Sequence, residues 1–186
     1  MRTITILMST YNGEKYIREQ LDSILEQDCE RLGVATVRLL VRDDGSKDGT
    51  QKILEEYAMR DPKHICWYQG QNVGVIKSFL ELVCKAGESD YYAFSDQDDY
   101  WMPEKLTRAI EKIESRPQDL PVLYCCRPKL VDAQLQPLET EIKRPPMRPS
   151  FRNAMIENIA TGCTEVWNVP LQKLLLRGVP SFTVMH

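Results

Sequence analysis

The sequence predicts an α/β fold with a mostly parallel, Rossmann-like sheet and helices on both of its faces. Short runs rich in β-branched and aromatic residues recur about every 30 residues along the chain. Between these runs, apolar residues follow the 3.6-residue spacing of amphipathic helices. A strand–helix repeat of this length is the βαβ unit, which requires parallel strands joined by right-handed crossovers. At 186 residues the chain has the size of one compact domain.

The individual elements follow in order from these two patterns. The predicted strands are TITILMS from residue 3, VATVRLLVR from 34, ICWYQ from 65, YYAFS from 91 and VLYCC from 122. The helices are predicted around residues 17–25, 53–58, 76–83 and 104–116. Two start signals support them, because Asp48 with Gln51 resembles a capping box and Pro103 suits a first helical position.

The alternation of strands and helices fades after residue 116. Residues 117–149 contain seven of the eleven prolines, which predicts one or two strands within 122–138 and then a mobile loop. Short helices are predicted at 151–158 and 170–177, on either side of a last strand in TGCTEVWN. No low-complexity tract or linker divides the chain, so residues 1–186 are predicted to form a single domain.

Charge and composition exclude several classes of protein. With 24 basic and 27 acidic residues the net charge is −3, so the chain offers no broad basic field and no nucleic-acid partner is expected. No apolar run reaches the ~18–20 residues that cross a bilayer, and no signal-peptide core develops near the first residue. We therefore expect a cytoplasmic protein whose six cysteines are reduced, buried thiols rather than disulfides or zinc ligands.

Polar side chains follow each of the first four predicted strands. They lie at residues 9–12, 43–46, 71–74 and 96–99. In an open parallel sheet the carboxyl ends of the strands meet at one edge, where ligands bind. The sequence therefore predicts a polar crevice at this edge, although its residues are far apart along the chain.

The last of these loops contains three carboxylates in four residues, at Asp96, Asp98 and Asp99. Such a cluster is repulsive unless a cation neutralises it, and hard oxygen donors without nearby His suit Mg²⁺ or Mn²⁺. A metal that bridges a diphosphate is the natural ligand. The alternative is a solvated acidic turn that caps the helix at 104–116, where negative charge is favoured.

Other phosphate and catalytic motifs are absent. The chain has neither G-x-G-x-x-G nor the P-loop pattern, and an EF-hand counted from Asp96 meets Trp101 and Thr107 where Gly and Glu are needed. With only two His in the chain, a Ser-His-Asp or Cys-His nucleophile has little to work with. Covalent catalysis is therefore not indicated.

Four linked segments carry a family resemblance. STYNGEKYIREQLDSILEQ, VRDDGSKDGT, NVGVIKSF and FSDQDDYWMPEKL together resemble the family two glycosyltransferases of the GT-A fold, especially bacterial rhamnosyltransferases and related polysaccharide transferases. The match runs in order from residue 3 to about 176 and continues through ATGCTEVWN. It implies a nucleotide-sugar-binding half at 1–116 and an acceptor-side half at 117–186.

The resemblance implies a role for each loop. The nucleotide-binding residues would be Thr10, Tyr11, Asn12, Asp43, Asp44, Asn72, Gly74, Lys77 and Asp96. Within this set, the Tyr11 ring would lie against the base, Asp43 would accept a hydrogen bond from the base, and Asp44 would support its loop. Lys77 stands where many relatives carry Arg and could meet a phosphate as a point charge.

The resemblance also implies a metal site and a sugar pocket. Asp98 would be the principal ligand of Mg²⁺ or Mn²⁺, with Asp96 reaching the ribose or the metal. The sugar and acceptor pocket would include Asp99, Trp101, Gly162, Cys163 and Thr164. Gln97 stands where many relatives carry a small residue.

The implied reaction transfers a sugar, with inversion, from a nucleotide donor to a saccharide or lipid-linked acceptor in cell-surface polysaccharide synthesis. Attack by the acceptor needs a general base. In the family this is an Asp just beyond the segment that resembles the end of this chain, so the sequence is expected to be a fragment that stops before it, at His186. If the 186 residues alone are fully active, the base is expected among Asp132, Glu139, Glu157 and Glu165.

Several alternatives and partners follow from the same residues. Competing interpretations are a fragment that binds nucleotide sugar without turnover and a phosphatase of the haloacid dehalogenase type, although Tyr100 departs from the phosphatase motif. The basic residues Lys143, Arg144, Arg148 and Arg152 favour a solvated loop over a lipid contact, yet the full-length protein could associate peripherally with the inner face of the membrane. An unfinished acceptor half would expose apolar surface, which could pair two copies in a homodimer.

Overall fold

Strands and helices alternate along most of the chain, as the sequence predicts. The computed structural model describes residues 1–138 and 160–178. The strands are β1 (Arg2–Thr10), β2 (Ala35–Asp43), β3 (Ile65–Gln69), β4 (Tyr91–Ser95), β5 (Leu123–Cys125) and β6 (Glu165–Asn168). The helices are α1 (Ile17–Leu25), α2 (Thr50–Arg60), α3 (Val75–Lys85), α4 (Lys105–Glu114) and α5 (Val169–Arg177).

The strands form one six-stranded sheet in the order β3-β2-β1-β4-β6-β5. The first four strands are parallel, whereas β6 runs antiparallel to both β4 and β5. The chain moves outward from β1 to β3 and then returns to place β4 on the other side of β1. The connection that follows β1 therefore runs to one side of the sheet, and the connection that follows β4 runs to the other side. This divergence opens a crevice between the carboxyl ends of β1 and β4.

Two hydrophobic cores cover the two faces of the sheet. On one face Ile4, Ile6 and Met8 of β1 pack with apolar residues of α1, α2 and α4. On the other face Leu7 packs with Leu82 and Val83 of α3, and Leu171 of α5 joins them. Successive strand residues point to opposite faces, so a strand buried on both sides is apolar at nearly every position. The predicted helices on both faces are confirmed.

Two helix-start predictions are wrong in detail. Gly49, not Asp48, is the N-cap residue of α2, and no capping box forms because the Gln51 amide instead donates to the Asp43 carboxylate and the Ser46 carbonyl. Asp48 does accept hydrogen bonds from the backbone N–H and hydroxyl of Thr50. Pro103 lies two residues before the first residue of α4 rather than within its first turn.

The prediction of buried thiols is correct only for Cys29. All six cysteines are free, but the side chains of Cys66, Cys84 and Cys125 are exposed. Cys66 and Cys125 lie on β3 and β5, the two edge strands of the described sheet, where one side of the strand has no neighbouring strand among the described residues. Periodicity alone does not distinguish an edge strand from a central one.

In the described part of the proline-rich region, residues 117–138, the structure shows one short strand, β5, and an isolated bridge between Val131 and Pro137. The predicted last strand and the helix after it are confirmed as β6 and α5. The predicted loop, the helix at 151–158 and the basic residues from 143 to 152 lie outside the described residues. Among the helices in the described ranges, none is long and apolar enough to span a bilayer.

Because β1 lies inside the sheet, with a strand on each side, its buried residues should contribute strongly to the stability of the fold. Ile6 is completely buried between helices and sheet, so Ile6→Ala should lower the free energy of unfolding by ~2–5 kcal/mol through lost burial and an added cavity. Met59→Ala is the control, because the Met59 side chain is 72% exposed on α2 and its loss should cost within ~0.5 kcal/mol. Urea denaturation measures both. Equal losses in the two variants would contradict the assignment of β1 to the core.

Candidate active site

The register of the sheet brings the predicted polar loops together. Thr10 pairs with Asp43 across β1 and β2, and Asp43 in turn pairs with Gln69 at the end of β3. On the other side of β1, Met8 pairs with Ser95, the last residue of β4. The loops that follow these four strands therefore border one crevice, as the sequence predicts.

Asp43 presents a buried acceptor at the base of this crevice. One carboxylate oxygen, Oδ2, accepts hydrogen bonds from the backbone N–H of Gly45 and Ser46 at 3.2 and 3.0 Å and from Gln51 Nε2 at 2.7 Å. The other oxygen, Oδ1, is buried and has no hydrogen-bond partner among the described residues. A buried carboxylate oxygen without a donor is costly, so this atom is available to a ligand that brings an N–H group.

Asp44 instead holds the loop after β3. Its Oδ1 accepts from the N–H of Val73 at 2.9 Å, and its Oδ2 accepts from the N–H of Gly74 at 2.9 Å. Gly74 has φ 82 with open space around it, so it is needed for a left-handed backbone rather than for a close approach. The contacts of Asp44 thus reach the loop after β3 rather than only its own loop, which the sequence analysis expected it to support.

Arg42 is the residue that sequence analysis missed. Its guanidinium is buried and bonds to four groups, namely the carboxylates of Asp44 and Glu81, the Ser78 hydroxyl and the Gln71 carbonyl. These contacts join β2 to the loop after β3 and to α3. The available signal was an arginine inside an apolar strand, directly before two aspartates, because a buried cation needs paired anions.

Hydrogen bonds between side chains and backbone also join the loops after β1 and β2. The N–H of Asn12 donates to Ser46 Oγ, and Asn12 Oδ1 accepts from the N–H of Lys47, both at 2.9 Å. Asn12 has φ 50, a conformation that asparagine tolerates better than most residues. The N–H of Gly13 donates to Thr50 Oγ1 at 2.8 Å. Tyr11 projects from this fixed segment with 43% of its surface exposed.

The acidic loop after β4 has two half-buried carboxylates and one exposed. Asp96 and Asp99 are half-buried and, with the Cys163 thiol, offer three ligand atoms within 4.8 Å of one another. Asp98 is exposed and lies outside this group. Burial raises the pKa of Asp96, and the negative charges of Asp99 and Asp98 raise it further. This repulsion is what the sequence analysis expected of three adjacent carboxylates.

A buried lysine lies beside the acidic loop. Lys105 Nζ donates to the Cys163 carbonyl at 2.6 Å and stands 3.1 Å from the centre of the Trp101 ring. Burial lowers the pKa of Lys105 to about 8. Burial and the negative charge of Asp99 raise the pKa of the Cys163 thiol well above its usual value, so the thiol is protonated at neutral pH. Lys105 therefore offers part of the positive charge that the cluster needs.

The predicted sugar pocket is only partly assembled in the described residues. Gly162–Thr164 forms a 3₁₀ turn beside the end of β4, and this turn carries Cys163 to Asp96 and Asp99. Trp101 is 3% exposed and packs within the core, which leaves it little surface for a sugar. The amide of Gln20 connects this core to the acidic loop, because it lies 2.7 Å from Ser95 Oγ and 3.2 Å from Trp101 Nε1 and also contacts the Asp99 carbonyl.

The remaining predicted residues lie at the margins of the crevice. Asn72 and Lys77 are exposed, in the loop before α3 and in its first turn. Of the carboxylates considered as a base, Asp132 is occupied in a turn, where it accepts from the N–H groups of Gln134 and Gln136 at 2.9 Å. Glu165 begins β6, and burial raises its pKa to about 7. Glu139 and Glu157 lie outside the described residues.

Comparison with known proteins gives a consistent family match. The sequence model described as "Glycosyl transferase family 2" matches residues 5–166. The dTDP-rhamnosyl transferase RfbG of Shigella flexneri is 38% identical over 108 residues, covering 56% of this chain and 36% of that protein. The uncharacterized glycosyltransferase EpsJ of Bacillus subtilis is 29% identical over 117 residues, covering 63% of this chain and 32% of that protein.

Two solved structures have the same fold over the matched region. S. aureus TarS (residues 1–349) in complex with UDP-GlcNAc is 32% identical with a TM-score of 0.53, covering 61% of this chain and 31% of that one. The mannosyltransferase PcManGT from Pyrobaculum calidifontis, in complex with GDP-Man and Mn²⁺, is 24% identical with a TM-score of 0.57, covering 68% and 36%. These are GT-A structures, so the predicted fold class is confirmed. The chain spans about a third of the length of these relatives.

The raised pKa of Glu165 predicts a pH-dependent stability. Between pH 4.5, the ordinary pKa, and about 7, the folded chain keeps a proton that the unfolded chain releases. The free energy of unfolding from this group therefore falls as the pH rises through that window and is constant on either side. Relative to the wild type, Glu165→Gln should become more stable between pH 4.5 and 7 in urea titrations. A difference that is independent of pH would contradict the burial of this carboxyl group.

Proposed function

The chain belongs to glycosyl transferase family 2, and from that premise we propose that its crevice binds a nucleotide-sugar donor for transfer, with inversion, to a saccharide or lipid-linked acceptor. A role in cell-surface polysaccharide synthesis is part of the proposal. The choice of a nucleotide sugar as donor is supported by two of the similar proteins. RfbG is named as a dTDP-rhamnosyl transferase, and TarS was solved in complex with UDP-GlcNAc. The acceptor and any pairing of two copies are likewise proposals.

The unpartnered oxygen of Asp43 carries the proposal. Three donors from the protein fix one carboxylate oxygen, which leaves Oδ1 oriented and buried with no partner among residues 1–138 and 160–178. Thr10 Oγ1, at the end of the neighbouring strand, is also buried and has no partner within these residues. A nucleobase with a ring N–H would satisfy Asp43, while the exposed ring of Tyr11 offers a surface for stacking. A purely structural turn would have no reason to leave both oxygens without donors.

The acidic loop fits a divalent cation. The sequence predicts Asp96 and Asp98 as a metal-binding pair. The structure brings Asp96 close to Asp99 instead, so Asp96 belongs to both pairs. Two carboxylates suit Mg²⁺ or Mn²⁺, whereas the protonated thiol of Cys163 is a poor ligand for these hard ions. A bound cation would stabilise the negative charge that develops on the departing nucleoside diphosphate.

The chain's own residues supply the remaining requirements of transfer. Asp44 and Arg42 hold the loop before α3 in one conformation, and Lys77 projects from the first turn of that helix as an exposed positive charge. Holding the donor in one orientation lowers the entropic cost of reaching the transition state. The acceptor hydroxyl then attacks the anomeric carbon from the face opposite the diphosphate, which gives inversion. The bond between that carbon and the diphosphate oxygen breaks, the nucleoside diphosphate leaves, and the hydroxyl proton passes to a general base.

Asp43 should determine nucleobase binding. Asp43→Asn keeps the shape of the side chain but removes the charged acceptor, so nucleoside diphosphate affinity should fall by ~1–3 kcal/mol, the range for a charged hydrogen bond. Asp119→Asn, at an exposed aspartate after α4, is the matched control. Calorimetry with UDP, dTDP and GDP measures the affinity and its base preference. Unchanged binding of all three would overturn the assignment of this carboxylate.

The carboxylates after β4 should govern the metal-dependent part of that affinity. We expect Asp96→Asn to abolish the increase in nucleoside diphosphate affinity that Mn²⁺ causes, and Asp98→Asn to reduce it strongly, because each removes an anionic oxygen ligand. Calorimetry with and without Mn²⁺ measures the increase. If Asp99→Asn removes it while Asp98→Asn does not, the ion is held by the half-buried pair and the role given to Asp98 is wrong.

A further inference from the structure

Gln97 lies between two of the acidic residues but bonds to a different loop. Its Oε1 accepts from the N–H of Tyr11 at 2.9 Å, and its Nε2 donates to the carbonyl of Tyr11 at 3.2 Å. One side-chain amide thus occupies both backbone groups of one residue. This is the arrangement of a strand pairing, made by a side chain.

The hydrogen bonds between Gln97 and Tyr11 connect the loop after β4 to the loop after β1. Tyr11 follows β1 and Gln97 follows β4, the two strands between which the chain reverses its direction across the sheet. The chain leaves these two strands toward opposite sides of the sheet, and among the described residues no backbone–backbone hydrogen bond joins the segment at Tyr11 to residues 96–99. The amide of Gln97 therefore spans the crevice from its acidic side to its aromatic side.

The packing around Gln97 shows that the space is reserved for it. A Cβ atom at Gly13 would lie 2.8 Å from Gln97 Cδ and would overlap the amide oxygen. Gly13 does not have a positive φ, so a side chain at this position would conflict with the Gln97 amide rather than with the backbone, and the amide would have to move. The side chain of Gln97 itself is half-buried rather than part of the core.

We propose that Gln97 is a positioning residue that fixes the nucleobase-binding segment at Tyr11 relative to the carboxylates that meet the diphosphate. This inference rests on the proposed function, because it assumes that one ligand contacts both sides of the crevice. A ligand that bridges two loops binds more tightly when the loops are already held in register. A ligand that contacts only the acidic loop gains nothing from the bridge.

The test compares a ligand that contacts both loops with one that contacts only the acidic loop, on a variant that should fold. Gln97→Ala should weaken the binding of whichever of UDP, dTDP and GDP binds best by roughly 5- to 30-fold, which corresponds to the loss of one to two net hydrogen bonds. Binding of inorganic pyrophosphate in the presence of Mn²⁺ should not change. Gln97→Glu keeps the acceptor for the Tyr11 N–H but sets a carboxylate oxygen against the Tyr11 carbonyl, so it should weaken nucleotide binding at least as much as Gln97→Ala. Gln134→Ala, at an exposed glutamine, is the control.

Gly13 provides an independent check. Gly13→Ala should displace the amide and weaken nucleotide binding in the wild type, yet have little further effect when combined with Gln97→Ala, because the clash is then gone. Additive losses would overturn the proposal, as would equal losses of pyrophosphate and nucleotide binding or a lower melting temperature that accounts for both.

The two hypotheses fail in different ways. If Asp43→Asn weakens nucleotide binding and Gln97→Ala does not, only the role of Gln97 is overturned. If none of the three nucleotides binds the wild type, the proposed function fails and this inference fails with it.

Discussion

The buried ion pair of Arg42 and Asp44 is the constraint on which the site depends. An arginine without water around it must be paired and hydrogen-bonded, and here its partners come from three different elements. Because Arg42 satisfies one side of the Asp44 carboxylate, the rest of that carboxylate can order the backbone at Val73 and Gly74. One buried charge thus determines the conformation of a loop that β3 alone would not hold.

Contacts of the same kind order the other loops around the crevice. Each loop is held by side chains that bond to the backbone of a neighbouring loop, as with Asn12 and Ser46, and with Gln97 and Tyr11. These contacts do not use the buried Oδ1 of Asp43 or the exposed ring of Tyr11, which stay available to a ligand. The protein therefore orders its backbone before a ligand arrives, which reduces the entropy lost on binding.

Electrostatics at the acidic end are balanced only in part. Lys105 is buried close to Asp96 and Asp99, and these carboxylates favour its charged form while burial opposes it. One lysine does not neutralise the three carboxylates of the loop, so a net negative potential persists there. This residual charge favours the proposed cation site over a helix cap, because a cap would be satisfied by backbone N–H groups alone.

The sequence by itself determined the class of fold, the order of the elements and the loops that form the crevice, because apolar periodicity and strand-end polarity are local properties of the chain. It also made Asp43 and Asp96 candidate site residues, since their motifs are contiguous, and their roles stay predictions. Only the tertiary structure showed which thiols are exposed, that Arg42 is buried among partners from distant segments, that Gln97 bonds to Tyr11, and that Asp99 rather than Asp98 lies beside Cys163. Each of these features depends on the order of the strands and on the direction of side chains across the sheet. Neither can be read from residues that are close in sequence.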